Sequence, residues 1–305
     1  MGKMQQTQRA SGEEWSAQSE YGVRFEWGPE GARRLMAAGD VACLVVVDVL
    51  SFTTAVSVAV DAGTKVFPYA WRDESAVAFA AERDAELAVG RRAVTAESPW
   101  SLSPAALRLA PFTPRLVLPS PNGSAIAAAA GTSGTVFAGC LRNAAAVGSW
   151  LAGQGYGGPE RPVAVVAAGE RWAEGSLRPA LEDLLGAGAI ISAVASAVAS
   201  AVTPAVTVAA ATAAAGSAVS GARVSPEAAV AAASYASCAD VASAVADCAS
   251  GRELRASGFA EDVAVAVESG ASERVPVLAA EGFFSPNSPN PPNSPNSPNS
   301  PNSPN

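Results

Sequence analysis

Any chemistry in this chain must use carboxylates, hydroxyls, Arg or Lys, backbone amides, or a hard metal held by oxygen, because its 305 residues contain no histidine. A Ser-His-Asp triad, a Cys-His pair and a His-ligated metal are therefore excluded. The four cysteines form no C-x-x-C pair, which argues against a zinc ribbon, and we expect them to be buried and reduced. Acidic residues outnumber basic ones, 28 to 20, and no cluster of Lys and Arg points to nucleic-acid binding.

The segment VVVDVLSFTT places a carboxylate and three hydroxyls around the end of an apolar run. Asp48 ends the run, and Ser51, Thr53 and Thr54 lie at the start of the next predicted helix. Hydroxyls and free N–H groups at a helix N-terminus favour an anion such as phosphate, and the nearby carboxylate could hold Mg²⁺. The same residues are equally consistent with a helix cap beside a solvated acid.

Two later junctions between a strand and a helix offer polar groups for an anion. The turn LPSPNGSA presents Asn122, Gly123 and Ser124, and the segment GCLRNA presents Arg142. Arg142 could clamp a phosphate or sulfonate. A plain Asn-Gly turn with Ser124 as a cap, and a surface ion pair for Arg142, explain the same residues without function.

Two adjacent acids, Glu182 and Asp183, stand beside a long apolar stretch. Neighbouring residues on a helix point about 100° apart, so at most one of these side chains should face a site directly. A solvated helix face is the alternative for both acids.

The elements that must position these residues alternate between strand and helix through most of the chain. CLVVVDV (43–49) and PVAVVA (162–167) are near-continuous apolar runs, as expected of strands covered on both faces. The alternation predicts an open α/β sheet with helices on both faces. Ligands of such sheets bind beyond the carboxyl ends of the strands, where the polar segments above are found.

The composition divides the chain into a folded domain with biased segments around and within it. We expect a disordered leader over 1–21, an α/β domain over 22–284 and a disordered Ser-Pro-Asn repeat tail over 285–305. An Ala/Val/Ser-rich insertion is predicted at about 194–224. The stretch 184–222 carries no charge, but its many small residues argue against a membrane span.

Four ordered motifs resemble those of the 2-phosphosulfolactate phosphatase family, over about Val23 to Ile191. The family carries D-V-L-R-A-T-T, G-N-S-P, T-N-G-T and L-E-D-x-x-x-A-G in this order. The matching segments are Asp48–Thr54, Glu97–Pro99, Pro121–Ser124, and Leu181–Asp183 with Ala187–Gly188. Among the departures, Ser51 replaces the family's Arg, which puts the strength of anion binding and the identity of the substrate in question.

The resemblance implies a three-layer α/β/α fold with a mixed, mostly parallel sheet, and a cytoplasmic, Mg²⁺-dependent phosphomonoesterase. Such an enzyme of the coenzyme M pathway would release phosphate from (2R)-O-phospho-3-sulfolactate, or a similar small phosphorylated acid, to give 3-sulfolactate. Asp48 and Asp183 are assigned to metal or general-base work, with Glu182 in support. The residues assigned to the phosphate or sulfonate are Ser51, Thr53, Thr54, Asn122, Gly123, Ser124 and Arg142.

Three other functions remain open at this point. They are a different hydrolase of a small phosphorylated acid, a non-catalytic small-anion-binding relative, and a membrane tether that uses the uncharged run. We expect no nucleic-acid partner and no membrane, and an assembly of identical chains is left open.

Overall fold

The computed structural model describes residues 15–70, 73–130, 134–202, 222–279 and 282–287. The strands are β1 (Val23–Trp27), β2 (Cys43–Val47), β3 (Lys65–Tyr69), β4 (Glu86–Leu87), β5 (Arg115–Pro119), β6 (Thr135–Gly139), β7 (Val163–Ala167), β8 (Glu170–Arg171), β9 (Leu177–Arg178), β10 (Val277–Ala279) and β11 (Gly282–Phe284). The helices are α1 (Gly28–Ala37), α2 (Phe52–Asp61), α3 (Glu74–Ala81), α4 (Pro104–Leu109), α5 (Gly123–Ala130), α6 (Ala144–Gly153), α7 (Leu181–Val202), α8 (Pro226–Ser237), α9 (Val241–Asp247), α10 (Ala249–Ala256) and α11 (Ala260–Ala266). A short 3-10 turn spans Arg91–Ala93.

Nine strands form one mixed sheet in the order β1-β7-β2-β6-β10-β11-β3-β5-β4. Five of its pairings are parallel, and the three antiparallel ones all involve β10 or β11. Strands β8 and β9 pair separately as a small antiparallel ribbon. The predicted α/β fold with a mixed, mostly parallel sheet is confirmed.

The two faces of β2 point into two different apolar cores. Val45 and Val47 pack in one core with residues of α6, α7 and α8. Leu44 and Val46 pack in the other with residues of α1, α2 and α5. Since successive side chains of a strand point to opposite faces, an all-apolar strand needs a layer on each side. Helices on both faces supply those layers and give the α/β/α arrangement.

Helix α2 packs against both halves of the sheet. Its residues Phe52–Val60 are all buried. The core around it contains Val46 of β2 and also Leu116 and Leu118 of β5, which is five strands away in the sheet order. This shared core brings the loop after β5 close to the loop after β2, although the intervening antiparallel pairings reverse the direction of β5.

The folded part begins earlier than the predicted leader boundary at residue 21. Gln18 is buried, and its side chain exchanges hydrogen bonds with the backbone N–H and C=O of Phe25. Arg24, which is fully buried, donates to the carbonyls of Ala17, Ser19 and Tyr21. Hydrogen bonds of Gln18 and Arg24 thus attach this polar segment to the edge of the core. Amino-acid composition does not predict such bonds. The prediction of a leader extending to residue 21 is wrong for residues 15–21.

The other predicted boundaries also shift. Helix α7 extends to Val202, so the first part of the predicted insertion is helical, while its residues 203–221 lie outside the described residues. At its other end, Val224 forms a bridge to Val23. Ser285 is buried and Asn287 donates to the carbonyl of Glu273, so the first residues of the predicted tail belong to the fold. The rest of the tail, 288–305, lies outside the described residues.

Helix α7 is long and apolar enough to cross a membrane, with a mean hydropathy of 1.9 over Leu181–Ala201. Helices α8 and α9 would reach that length only as one span bent by 103°. Nevertheless, α7 packs against α6, α8 and β7, and 44% of its apolar window is buried. Helix α7 thus packs against the rest of the fold along part of its surface, and its first turn carries the predicted acids Glu182 and Asp183.

Candidate functional site

Asp48 lies immediately after β2 and joins the first turns of two helices. Its Oδ1 accepts the N–H of Phe52 at 3.1 Å, and its Oδ2 accepts the N–H of Gly123 at 2.9 Å. The carboxylate thus satisfies N–H groups that have no partner inside α2 or α5. Gly123 is required at this contact because a Cβ there would lie 2.8 Å from Asp48 Oδ2 and closer still to the ring of Phe52.

Asp183, in the first turn of α7, joins the loops that follow β2 and β7. Its Oδ1 accepts the N–H of Val49 at 2.7 Å, and its Oδ2 accepts the N–H of Gly169 at 2.8 Å. Val49 is the neighbour of Asp48 in sequence, and Gly169 is the neighbour of Glu170. Through these two bonds, Asp183 fixes the backbone beside two other acids.

Glu182 is also buried, but it points to a different partner. Its Oε2 accepts a hydrogen bond from Cys248 Sγ at 3.1 Å. Burial, followed by the charge of Glu182, raises the pKa of the Cys248 thiol to about 11, so the thiol keeps its proton at neutral pH. The separate partners of Glu182 and Asp183 agree with the 100° angle between adjacent helical residues.

A fourth acid, Glu170, lines a surface cleft. The cleft has a volume of about 230 Å³, and its lining includes Glu170, Asn122, Trp27 and Leu177. Asn122 Nδ2 donates to Glu170 Oε2 at 3.1 Å. Among Asp48, Glu170, Glu182 and Asp183, Glu170 is therefore the acid that a ligand in the cleft would meet.

Electrostatics link the four residues Asp48, Glu170, Glu182 and Asp183, which we call the acid cluster. Burial, with added repulsion from Asp48 and Glu182, raises the pKa of Glu170 to about 7. Burial and the same two neighbours raise the pKa of Asp183 well above its usual value. Burial also raises the pKa of Asp48, although the N–H groups of Phe52 and Gly123 oppose this shift. Such a cluster favours the binding of protons or of a cation.

A metal site built by protein side chains alone is not present in the described part of the chain. There, no three or more Asp, Glu or Cys side chains come together in a way that could ligate one ion. Mg²⁺, however, commonly takes one or two carboxylates and completes its shell with water and substrate phosphate. The oxygen chemistry of Asp48 and Asp183 fits that pattern, since each carboxylate oxygen accepts one backbone N–H and retains a further lone pair.

The predicted hydroxyl ligands all lie near Asp48 or Gly123, but their protons are used within the chain. Thr53 donates to the carbonyl of Asp48 and Thr54 to that of Val49, both at 2.8 Å. The other two donors are also bonded to backbone carbonyls, with Ser51 donating to Leu102 and Ser124 to Leu118, each at 3.1 Å. These side chains therefore shape the loops, and only their lone pairs remain for a further contact.

Arg142 is not brought to the acid cluster. It is buried, and its guanidinium pairs with Asp61 at 3.0 Å and with Glu268, while Nε donates to Ser57 at 3.3 Å. Asp61 ends α2, whereas Asp48 adjoins the beginning of that helix. The structure places Arg142 in an ion-pair network at the far end of α2.

Two residues near the predicted site were given no role by the sequence reasoning. Glu170 follows the buried strand β7, and that position was the signal that could have identified it. Arg91 lies in the 3-10 turn, and its Nη2 donates to Ser51 Oγ. Nothing in the local sequence indicates that contact, because the two residues are 40 positions apart.

The nine-stranded mixed sheet with helices on both faces defines an α/β protein, and its candidate site consists of acids beside a cleft. The chain belongs to the 2-phosphosulpholactate phosphatase family, whose model matches residues 31–281. By that membership it is a phosphatase-type hydrolase. The comparison with curated proteins found no match.

Proposed function

We propose that this protein is a Mg²⁺-dependent phosphomonoesterase acting on 2-phosphosulfolactate or a similar small phosphorylated acid. The observation that carries the proposal is the acid cluster, in which the buried Asp48, Glu182 and Asp183 and the partly buried Glu170 act on one another electrostatically beside a cleft. Ionising Asp48, Glu170 and Asp183 together is unfavourable without a compensating cation, because burial and mutual repulsion raise the pKa of each. A divalent ion that also contacts a phosphate would supply this compensation.

Asp48 and Asp183 are the residues that would hold the ion. Their backbone hydrogen bonds fix both carboxylates before any ligand arrives, so little side-chain entropy is lost on binding. Bound Mg²⁺ would polarise the phosphoryl oxygens and neutralise charge on them. Glu182 supports the arrangement through its negative charge and its bond to Cys248.

Glu170 is the group suited to moving a proton. A carboxyl with a pKa of about 7 is partly ionised at neutral pH and can accept a proton from water. The oxygen of that water forms a new bond to phosphorus as the ester P–O bond breaks. The proton held on Glu170 then passes to the departing alkoxide oxygen, which leaves as a hydroxyl group.

The alternative of a non-catalytic anion-binding relative is favoured by one feature, the loss of the family's Arg at Ser51.

Four free cysteines, three of them buried, fit the proposed cytoplasmic location, where thiols stay reduced.

The test is phosphate release from 2-phosphosulfolactate, O-phospholactate and p-nitrophenyl phosphate, each assayed with Mg²⁺ and with EDTA. We expect release that requires Mg²⁺ and has its highest kcat/KM with the sulfonated ester. Binding of 2-phosphosulfolactate without release of phosphate would favour the anion-binding relative. Equal release in EDTA would contradict the role of the metal.

A further inference from the structure

Arg91 is held rigidly beside the acid cluster by residues from separate segments. Its Nε donates to Asp262 Oδ2 at 2.9 Å, and its Nη2 donates to Ser51 Oγ. The arginine side chain is 19% exposed, whereas Asp262 is 1% exposed. The buried Asp262 thus orients the guanidinium, which remains accessible to solvent.

Asp262 is itself fixed by two further bonds. Its Oδ1 accepts the hydroxyl of Ser103 and the N–H of Ala105, the latter at 3.2 Å. The carboxylate therefore binds Arg91 and the start of α4 together. An arginine held in this way loses little rotational freedom when it binds an anion.

The charge of Arg91 reaches the acid cluster. Ser51 precedes Phe52, whose N–H is bound by Asp48. Consistent with this proximity, the charge of Arg91 opposes the burial that raises the pKa of Asp48. In the described part of the chain, Nη1 of Arg91 has no hydrogen-bond partner, so this donor remains for a ligand.

We propose that Arg91 binds the second acidic group of the substrate, a sulfonate or carboxylate, and thereby determines specificity for phosphorylated acids. The inference rests on the proposed function. The motif that resembles this segment carries an arginine at the position of Ser51, and here a guanidinium from another segment contacts that serine. The short serine side chain leaves room for this contact. Asp262 is a positioning residue that acts through Arg91.

The test compares Arg91→Ala with Arg92→Ala, which removes an exposed arginine from the same turn. For 2-phosphosulfolactate, we expect Arg91→Ala to raise KM by about tenfold to a hundredfold, the range for a lost charge-assisted hydrogen bond. For p-nitrophenyl phosphate, which lacks a second acid, Arg91→Ala should cost at least about tenfold less kcat/KM than for 2-phosphosulfolactate. Arg92→Ala should resemble the wild type with both esters. An equal loss with both esters, or no loss, would overturn the proposal.

The double variant Ser51→Arg with Arg91→Ala provides a rescue. Because Ser51 contacts Arg91, an arginine at position 51 can extend into the space that the Arg91 side chain vacates, and the double variant should recover part of the affinity for 2-phosphosulfolactate. If the double variant keeps the melting temperature of the wild type but recovers no affinity for 2-phosphosulfolactate, that result would count against a binding role at this position.

Calorimetry with 3-sulfolactate separates this inference from the proposed function, since this probe carries no phosphate to release. We expect binding to the wild type and to Arg92→Ala, and binding at least about tenfold weaker to Arg91→Ala. A wild type that binds 3-sulfolactate but hydrolyses no ester refutes the phosphatase proposal alone. Absent binding to the wild type, or unchanged affinity in Arg91→Ala, refutes the role of Arg91.

Discussion

Asp183 has two roles in this account. It fixes the backbone of two loops through hydrogen bonds, and it is a candidate ligand for the metal. Its two oxygens bind the backbone beside Asp48 and beside Glu170, so the acids are positioned partly by one another. The sequence placed Asp48 and Asp183 at strand and helix ends, from which their proximity could be inferred. It could not reveal which backbone N–H groups they would bind, because those partners are distant in the chain.

The raised pKa of Glu170 gives a prediction for stability against pH. Its pKa is about 7 in the folded protein and 4.5 ordinarily, so between these values the folded state holds the proton more tightly than the unfolded state. This contribution to stability is complete below about pH 4.5 and is lost as pH rises through about 7, by at most about 1.4 kcal/mol per pH unit. The raised pKa values of Asp48 and Asp183 act in the same direction.

Glu170→Gln should therefore lose less stability than the wild type between pH 5 and pH 8. The measurement is urea unfolding in EDTA at both pH values, with Glu253→Gln as a matched change of an exposed acid. Identical pH dependence in all three proteins would contradict the assigned burial and repulsion at Glu170.

Gly123→Ala tests the contact between Asp48 and the start of α5. The added Cβ would crowd Phe52 and Asp48 Oδ2, and relief of that overlap should cost about 1–3 kcal/mol of unfolding free energy. Gly153→Ala is the control, because a Cβ there meets nothing within 4 Å. Urea unfolding should show the loss only at Gly123, and equal stability of the two variants would exclude close packing at this position.

At the scale of elements, periodicity and composition predicted what depends on local sequence. The apolar runs of β2 and β7 and the helix α2 were found where the sequence placed them. The region after the predicted insertion forms two helices, α8 and α9, and Asp240 accepts the N–H of Ser243 at the start of the second. The hairpin partner β11 was missed, since pairing between strands follows from tertiary contacts and not from one strand's sequence.

Substitution of Arg24 tests how residues 15–21 are attached to β1. This buried side chain makes a bidentate pair with Asp40 and binds the carbonyls of Ala17, Ser19 and Tyr21. Arg24→Met should reduce unfolding free energy by about 2–4 kcal/mol, because it leaves those acceptors unpaired. It should also speed proteolysis within residues 15–21.

The control for this prediction is Arg255→Met, which removes one member of an exposed ion pair with Asp247. Exposed pairs contribute little, so its unfolding midpoint should match that of the wild type. Equal proteolysis of the wild type and Arg24→Met would show that Arg24 does not hold the segment.

At the scale of the whole molecule, the site depends on the twist of the sheet and on the core that α2 and α5 share with both halves of it. Five strand steps separate β2 from β5, and at roughly 20–25° each the twist accumulates to about 100–125°. The loop carrying Gly123 can therefore meet Asp48, although β5 runs opposite to β2 in the pairing order. The sequence analysis placed these loops at the carboxyl ends of parallel strands. It did not predict that β5 runs opposite to β2, because that reversal comes from the antiparallel pairings of β10 and β11.

The central claim is that the acid cluster works with Mg²⁺ to hydrolyse a phosphate ester. The most direct measurement is the rate of phosphate release from 2-phosphosulfolactate at saturating Mg²⁺ by the wild type, Asp48→Asn and Asp247→Asn. Asp247 is an exposed acid outside the cluster. We predict a loss of about a hundredfold or more in Asp48→Asn and wild-type turnover in Asp247→Asn, with all three proteins folded by circular dichroism. Unchanged turnover in Asp48→Asn would contradict the account.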